Sequence, residues 1–435
     1  MAEEILRIRG GLPLRGEVTV QGAKNSALPL MAAALLCSGE TCFTNVPQLT
    51  DVYAASRILN RLGCRCHITG NTVRIVNSGE GGCEIPDADM RAMRSSIMFL
   101  GPVLGSRKEC ILTMPGGCEL GPRPIDLHLD AMRQMGVRIR SLDGVMHCKA
   151  GKLCGAHIHL PIPSVGVTEN IIMAAVAAEG ETVITNAACE PEITDLAGYL
   201  NACGAAICGA GEQTVVIQGG KKLTGTEYRV MPDRIAAMTY LCAGAAAGGA
   251  VCLRDAEPKH LESCLAVLEQ AGCTVGICGN RIFLDRSGTL RSIRYIKTMP
   301  YPGFPTDVQA LISAVLCTAR GTSLLEETIF ENRFKHMSEL MRMGADIRVS
   351  GRIAAISGVK SLNGADVSAA DLRGGAALAV AAAAAEGETV IHGLHHLDRG
   401  YENFAETFHN LGIRAERVSF FASEHEKSRL KPEKC

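Results

Sequence analysis

The sequence contains no tryptophan, and aromatic residues make up only 4% of its 435 residues. So few rings offer no stacking platform for single-stranded nucleic acid. Net charge is almost absent as well, since 44 Lys and Arg residues are balanced by 45 Asp and Glu residues. A general nucleic-acid binder needs a basic surface, and we therefore expect no nucleic-acid partner.

Nineteen cysteines are present, yet no two of them have the Cys-x-x-Cys spacing of a zinc site. Their number is odd, and the chain opens with two glutamates rather than with the basic and apolar residues of a signal peptide. We therefore expect a cytoplasmic protein in which most thiols are buried as small apolar side chains.

The longest uncharged run extends from Ile235 to Leu253 and is rich in alanine and glycine. It is interrupted at Gly248-Gly249, which predicts a helix, a turn and a strand rather than a membrane-spanning helix. We expect no membrane association.

A small or apolar residue followed by glycine closes a helical pattern six times along the chain. The spacings between successive glycines are 73, 68, 68, 72 and 68 residues, for the glycines at Gly63, Gly136, Gly204, Gly272, Gly344 and Gly412. Intervals this regular indicate six repeats of one structural unit, with each glycine as the residue that caps a helix.

Each repeat has the same internal order. An apolar helix, as in residues 26–36 and 168–178, precedes a glycine-containing turn and a short β-branched strand such as residues 181–185. An amphipathic helix such as residues 258–271 follows, and a strand such as residues 214–217 closes the unit. The order predicts an α/β fold in which the uncharged first helices form the interior.

We expect three repeats in each of two domains, with the crossover in the polar, glycine-containing stretch at 221–232. The alternative is one elongated solenoid. Solenoid repeats are usually 20–50 residues long, which favours the two-domain arrangement.

Lysine or arginine stands at several predicted helix starts, where the helix dipole disfavours a cation by up to ~1 kcal/mol. These residues are Lys24, Arg94, Arg123, Arg333, Arg373 and Arg399. Any one of them could be a solvated surface cation, but their equivalent positions in the repeats favour a shared site for anions such as phosphates or carboxylates.

Two further segments carry chemistry. Residues 114–124 contain three glycines and three prolines around Cys118, and a thiol in such a loop near Arg123 would be reactive rather than buried. Asp307 stands at a helix start as either a cap or a general base.

These residues resemble the UDP-N-acetylglucosamine 1-carboxyvinyltransferases, which are enolpyruvyl transferases. The matching segments are 22–27, 94–97, 115–118, 123–127, 304–307, 330–333, 371–373 and 398–401. They extend from the first repeat to the sixth, and the resemblance covers about residues 6–417. The Gly374-Gly375 pair departs from the family, in which Ala-Ser is more usual.

The resemblance implies a fold of two inside-out α/β barrel domains built of six β/α units, three per domain. One domain would comprise residues 22–231, and the other would comprise 1–21 together with 232–435. The active site would lie in the cleft between them, and no metal or other cofactor would be needed.

The resemblance also implies the reaction: the enolpyruvyl group of phosphoenolpyruvate moves to the 3′-hydroxyl of UDP-N-acetylglucosamine, and phosphate is released. Cys118 would be the acid and Asp307 the base, and the epoxide fosfomycin would alkylate Cys118. Phosphoenolpyruvate would be held by Lys24, Asn25, Arg123 and Arg399. The sugar nucleotide would be held by Asn25, Arg94, Arg123, Pro124, Ile125, Asp126, Leu127, Ser164, Val165, Gly166, Asp307 and Ile329. Arg333, Asp371 and Arg373 would support the site.

Three other functions are compatible with parts of the sequence. A 3-phosphoshikimate 1-carboxyvinyltransferase would share the fold and the donor, but its characteristic phosphate loop is absent and the Gly-Gly-Cys segment is present. A non-catalytic sugar-nucleotide binder would be free to lose Cys118, Asp307 or Arg399, yet all three residues are present. The lack of Cys-x-x-Cys pairs disfavours a thiol-rich metal or redox protein.

Overall fold

The computed structural model describes residues 3–93, 95–113 and 125–420. Within these ranges the α-helices are α1 Lys24–Ala33, α2 Thr50–Arg61, α3 Asp87–Ala92, α4 Leu100–Arg107, α5 Asp126–Gln134, α6 Val165–Ala175, α7 Pro191–Ala202, α8 Arg234–Ala247, α9 Glu262–Gln270, α10 Thr306–Leu316, α11 His336–Arg342, α12 Leu372–Ala384 and α13 Phe404–Asn410. Short 3₁₀ helices cover Ala34–Leu36, Ser96–Phe99, Pro258–His260 and Leu394–Arg399.

The strands are β1 Glu3–Arg9, β2 Leu14–Thr19, β3 Cys37–Thr44, β4 Cys64–Thr69, β5 Thr72–Asn77, β6 Glu84–Ile85, β7 Glu109–Thr113, β8 Val137–Leu142, β9 Val145–Ala150, β10 His157–His159, β11 Glu181–Thr185, β12 Ala206–Cys208, β13 Thr214–Gln218, β14 Leu223–Thr224, β15 Glu227–Arg229, β16 Gly249–Arg254, β17 Thr274–Cys278, β18 Arg281–Arg286, β19 Tyr295–Lys297, β20 Thr322–Glu326, β21 Asp346–Ser350, β22 Ile353–Ser357, β23 Asp366–Ser368, β24 Glu388–His392 and β25 Arg414–Phe420.

These strands form six small sheets, one for each repeat of the sequence. Their strand orders are β14-β3-β5-β4 (with β15 also on β3), β6-β7-β9-β8, β10-β11-β13-β12, β2-β16-β18-β17, β19-β20-β22-β21 and β23-β24-β1-β25. In each sheet the first strand in this order runs parallel to the second. Strand β15 also runs parallel to β3, and the remaining pairs are antiparallel. The predicted α/β fold of repeated units is confirmed.

Three of the sheets are completed by strands that come from a distant part of the chain. Strand β1 pairs with β24 and β25, placing Leu6 opposite Ile391 on one side and Arg417 on the other. Strand β2 pairs with β16, and β14 and β15 return to pair with β3. The first twenty residues therefore complete two sheets of the last three repeats.

The chain divides into two compact units. The N-terminal unit contains the described residues within 21–233 together with 299–303, and the C-terminal unit contains those within 1–20, 234–298 and 304–435. Each unit has its own continuous apolar core.

The first helix of each repeat lies in the core, as its lack of charge predicts. In the C-terminal unit α8, α10 and α12 pack against one another, and all but the terminal residues of α8 and α12 are buried. Alanine and glycine make up most of α12, which allows this close approach. No helix within the described residues is long and apolar enough to cross a bilayer.

All six periodic glycines lie directly after the C-cap of a helix and have positive φ angles between 88° and 107°. At Gly272 the amide donates to the Glu269 carbonyl, and the Cys273 amide donates to the Leu268 carbonyl. This is the Schellman arrangement, which requires a left-handed residue and therefore selects glycine. The predicted caps are confirmed.

Some predicted helix boundaries are wrong. Helix α6 begins at Val165 rather than Thr168, and the predicted helix from Pro258 is a 3₁₀ turn followed by α9. Arg333 precedes α11 by three residues, and Arg399 ends a 3₁₀ helix. The helix-dipole argument therefore does not apply to Arg333 or Arg399.

Candidate active site

Four residues expected to act at the site, Arg94, Cys118, Arg123 and Pro124, lie outside the residues that the structure describes. The remaining expected residues are found in two groups, one in each unit.

The group in the C-terminal unit is centred on Asp307, in the first turn of α10. Arg333 donates from Nη2 to Asp307 Oδ1 at 2.6 Å, and Arg373 Nε lies 3.2 Å from the same oxygen. Arg373 Nη2 donates to Oδ2 at a longer 3.4 Å. Both arginine side chains are buried, whereas the Asp307 side chain is 27% exposed. One carboxylate oxygen is thus held by two guanidinium groups, and the other is more open.

This arrangement sets the charge of Asp307. Burial alone would raise the pKa of its carboxyl group, but the charges of Arg373 and Arg333, with a smaller effect from Arg234, hold that pKa well below its usual range. Asp307 is therefore a carboxylate at neutral pH. A carboxylate with so low a pKa is also a weak base as long as both arginines remain on it.

Asp371 fixes the position of Arg373. It is the N-cap of α12, and its Oδ1 accepts hydrogen bonds of 2.9 Å from the amides of Arg373 and Gly374. Asp371 is itself 3% exposed. The Asp371 side chain thus caps the helix whose first turn carries Arg373.

Sequence reasoning missed Glu327, a buried carboxylate that organises the same group. Its Oε1 accepts from the amides of Ile329 and Phe330 at 2.8 and 3.0 Å, and its Oε2 accepts from Thr306 Oγ1 at 2.9 Å. Glu327 therefore joins the segment that carries Ile329 to the residue before Asp307. Ile329 remains 38% exposed, as a side chain that contacts a ligand would be.

Arg399 is half-buried in the C-terminal unit, at the end of the 3₁₀ helix Leu394–Arg399. The preceding residue, Asp398, receives two hydrogen bonds of 2.8 Å from Arg417 on β25. This contact ties the 3₁₀ helix to the edge of the sixth sheet.

The group in the N-terminal unit contains Lys24, the first residue of α1. Its Nζ lies 3.3 Å from Asp51 Oδ2, with both side chains largely buried, and its amide donates to Asp233 Oδ2 at 3.4 Å. Asp51 lies in the first turn of α2 but does not cap that helix, and its carboxylate pairs with Lys24 instead.

Asn25 follows Lys24 and is half-buried. The next residue, Ser26, donates its hydroxyl to the Asp195 carboxylate, which also accepts from the Tyr228 hydroxyl at 2.9 Å. The first turn of α1 is thereby joined to α7, which carries Asp195, and to β15, which carries Tyr228.

The expected sugar-nucleotide residues of this unit lie at the starts of two helices. Ile125, Asp126 and Leu127 begin α5, while Ser164 is the N-cap of α6 and Val165 and Gly166 form its first turn. Helices α5 and α6 pack against each other. The structure therefore brings these two segments together at the N-terminal ends of neighbouring helices, where amide groups favour an anion.

The contact between α5 and α6 depends on His128 and Asn170, which sequence reasoning also missed. Asn170 accepts from the Gly101 amide at 2.7 Å, donates to the Ile97 carbonyl at 2.9 Å, and lies 2.8 Å from His128 Nδ1. Burial lowers the pKa of His128 to about 4. The ring is therefore neutral at pH 7, and a hydrogen bond from the Asn170 amide to Nδ1 places its proton on Nε2.

These missed residues left a detectable signal in one case only. Asn170 follows Thr168 and Glu169 in an otherwise apolar helix, and all three are buried. Buried polar side chains in such a helix must have partners, which predicts a hydrogen-bonded network. Glu327 left no such signal, because glutamates at the end of a strand are common on surfaces. Within the described ranges no three His, Cys, Asp or Glu side chains are grouped as metal ligands.

Comparison with known proteins relates this site to characterised families. Residues 8–408 match the EPSP synthase family, described as 3-phosphoshikimate 1-carboxyvinyltransferase. The chain is 47% identical over 412 residues to UDP-N-acetylglucosamine 1-carboxyvinyltransferase 2 of Caldanaerobacter subterraneus subsp. tengcongensis, covering 95% of this chain and 99% of that protein. It is 44% identical over 418 residues to UDP-N-acetylglucosamine 1-carboxyvinyltransferase of Nitratidesulfovibrio vulgaris, covering 95% and 99%.

Solved structures support the same fold. The enolpyruvyl transferase NikO from Streptomyces tendae superposes with a TM-score of 0.87 at 24% identity, covering 96% of this chain and 100% of that one. EPSP synthase from Acinetobacter baumannii gives a TM-score of 0.73 at 21% identity with the same coverage. The chain belongs to the EPSP synthase family of enolpyruvyl transferases and, within that family, to the UDP-N-acetylglucosamine 1-carboxyvinyltransferases.

Proposed function

We propose that this protein transfers the enolpyruvyl group of phosphoenolpyruvate to the 3′-hydroxyl of UDP-N-acetylglucosamine and releases phosphate. The reaction would supply a precursor of peptidoglycan. Support comes from the names of relatives that align over almost their full length and from the ionised Asp307 held by Arg333 and Arg373. The Asp307 arrangement is the single structural observation on which the proposal depends most.

Addition to the enol double bond of phosphoenolpyruvate requires a base at the attacking hydroxyl and an acid at the terminal carbon of the double bond. Asp307 Oδ2 is the oxygen suited to the hydroxyl, because Oδ1 already receives both arginines. Cys118 is proposed as the acid that protonates the methylene carbon. The tetrahedral intermediate then loses phosphate from its central carbon and a proton from the methyl group formed in the first step, and the double bond between these two carbons is restored.

The donor carries a phosphate and a carboxylate, which need fixed cations in a site that excludes water. Lys24 suits this role, because its side chain is only 13% exposed and Asp51 directs its ammonium group. Asn25, Arg123 and Arg399 are proposed to complete the donor site. Since these residues belong to both units, the proposal requires substrate to bring the two sets together.

The nucleotide is proposed to bind Arg94, Arg123 and Pro124 together with the starts of α5 and α6. Ile125, Asp126 and Leu127 would contribute from α5, and Ser164, Val165 and Gly166 from α6, as the earlier resemblance implied. Neutral His128 supports this assignment, because its ring lies next to the first turn of α6. Its Nε2 is 3.8 Å from the position that a Cβ atom would occupy at Gly166. Ile329 would pack on the ligand from the C-terminal unit.

The proposal includes inhibition by fosfomycin through alkylation of Cys118, and a cytoplasmic location. All seventeen cysteines within the described residues are free thiols, which agrees with a reducing compartment.

The experiment that tests the function is phosphate release by the purified full-length chain. Release that requires both phosphoenolpyruvate and UDP-N-acetylglucosamine is expected. Release with shikimate 3-phosphate in place of the sugar nucleotide would instead favour the activity for which the matching family model is described. If neither UDP-N-acetylglucosamine nor shikimate 3-phosphate supports phosphate release, the proposal is contradicted.

A further inference from the structure

Two buried side chains near the start of α11 carry polar atoms that have no hydrogen-bond partner among the described residues. One side chain is Arg333, whose Nε is a donor. The other is His336, in which neither Nδ1 nor Nε2 makes a hydrogen bond of ordinary geometry, although the ring lies near the main chain of Arg333. Their side chains are 3% and 2% exposed. Unpaired buried polar groups are rare and usually have a cause.

The two groups are complementary. Burial lowers the pKa of His336 to about 4; the Asp371 carboxylate and the Arg333 main chain act in the opposite direction, while the Arg333 guanidinium adds to the lowering. The ring is therefore neutral at pH 7, so one of its nitrogens is a bare acceptor. Arg333 Nε–H is a permanent donor. An unused acceptor and an unused donor thus lie three residues apart, close enough to influence each other electrostatically.

Gly374 lets the first turn of α12 come close to the base of the His336 side chain. A Cβ added at Gly374 would lie 3.1 Å from the Cβ of His336, which is tighter than ordinary contact. The same turn carries Arg373, the second guanidinium on Asp307. The start of α12 and the segment of Arg333 therefore lie against His336, and both Asp371 and Arg333 are close enough to shift its pKa.

A change of charge at Asp307 would disturb this balance. As a carboxylate, Asp307 satisfies Arg333 Nη2. Once Asp307 takes the proton of the sugar hydroxyl it becomes neutral. The buried guanidinium of Arg333 then loses most of the attraction of the carboxylate charge. The nearby ring of His336 is an acceptor that could replace it.

We propose that His336 is a positioning residue that accepts the Nε–H of Arg333 when Asp307 becomes protonated. The hydrogen bond stabilises protonated Asp307 relative to its carboxylate, and so strengthens Asp307 as a base without any contact between His336 and substrate. The inference depends on the proposed function, since it concerns the same proton transfer.

The test compares the pH profiles of kcat for the wild type, His336→Leu and His336→Gln, with phosphoenolpyruvate and UDP-N-acetylglucosamine as substrates. Leucine fills the space but cannot accept a hydrogen bond, whereas glutamine can. His336→Leu is expected to lower kcat by roughly tenfold or more, a part of the 10²–10⁴-fold that a general base contributes. Its acid limb should move to lower pH, with KM for the sugar nucleotide little changed. His336→Gln should restore most of kcat.

The neighbouring buried substitution Met337→Leu serves as the matched control, since Met337 is 1% exposed in the same helix. It should leave kcat and the acid limb as in the wild type. His336→Leu with wild-type kcat and acid limb would overturn the inference. Equal losses in the leucine and glutamine variants with an unmoved acid limb would also overturn it, because they would indicate a purely structural role.

A second measurement does not depend on how the variants fold. In wild-type protein labelled with ¹⁵N-histidine, the resonance of the bare ring nitrogen of His336 should move upfield as it accepts a hydrogen bond in the turning-over mixture of both substrates. A resonance unmoved by that mixture would overturn the inference. If the wild type releases no phosphate at all, the proposed function fails instead, so the two failures are distinguishable.

Discussion

Asp307→Asn provides the sharpest test of the electrostatics at the site. The substitution leaves Arg333 and Arg373 buried beside a neutral amide instead of the carboxylate that they contact at 2.6 and 3.2 Å. Removing one partner of a buried ion pair typically costs about 3–5 kcal/mol. The asparagine oxygen still accepts a hydrogen bond and the site is 27% exposed, so we expect a loss of about 2–3 kcal/mol at pH 7.

The pH dependence of this loss has a definite sign. The folded-state pKa of Asp307 is lowered, so its charge contributes stability above the unfolded-state pKa of about 3.9, and that contribution declines as the pH falls below it. The difference between wild type and Asp307→Asn should therefore be constant from about pH 8 to 5. Below about pH 4 it should shrink by roughly 1.4 kcal/mol per pH unit.

Urea unfolding followed by circular dichroism at pH 7, 5 and 3.5 measures the difference directly. Thermal unfolding should show a midpoint lower by roughly 4–12 °C for a unit of this size. Asp130→Asn is the control, because Asp130 also pairs with an arginine but its side chain is 58% exposed. That variant should change stability by less than about 0.5 kcal/mol. An Asp307→Asn protein as stable as the wild type at pH 7, or a difference that grows in acid, would refute the reasoning.

Three further substitutions test other parts of the site. Asn170→Ala removes three buried hydrogen bonds and should lower the free energy of unfolding by about 3 kcal/mol, with a raised KM for the sugar nucleotide; calorimetry and kinetics check this, and a neutral effect would contradict the network. Arg399→Ala should weaken the binding of phosphoenolpyruvate roughly 10–150-fold, as expected for loss of a charge-assisted contact. An equal loss of binding for both substrates in kinetic titrations would instead indicate a structural role for Arg399. Cys118→Ala should lose most turnover, whereas Cys118→Asp should keep turnover and lose covalent inhibition by fosfomycin; peptide mapping that finds fosfomycin on another residue would end the assignment.

The repeated architecture could be predicted from the sequence because its signal is local. A helix that ends in a left-handed residue selects glycine, so Gly63, Gly272 and the other four caps record the period directly. The burial of the first helices follows equally from their lack of charge. Both features depend only on neighbouring residues.

The sequence pattern alone does not predict which distant strands complete the sheets. Strand β1 pairs with residues about 400 positions away, and nothing in its own sequence selects that partner over another exposed strand edge. Only the family resemblance implied that the first segment belongs with the last repeats.

The site shows the same contrast. Asp307, Arg333 and Arg373 stand out as charges next to apolar helices, and the structure brings them together. The reason given for Arg333 was wrong, however, because the segment before α11 is irregular rather than helical. The partners Glu327 and His336 act through burial and orientation, which single residues in a sequence do not reveal.

The central claim is that the enolpyruvyl group goes to the sugar nucleotide, and a competition between acceptors tests it most directly. The full-length protein is incubated with phosphoenolpyruvate and equal concentrations of UDP-N-acetylglucosamine and shikimate 3-phosphate, and the products are analysed by mass spectrometry. The account predicts that UDP-N-acetylglucosamine alone gains one enolpyruvyl group, and that Asp307→Asn forms little product. Enolpyruvyl on shikimate 3-phosphate, with the sugar nucleotide unchanged, would contradict the account.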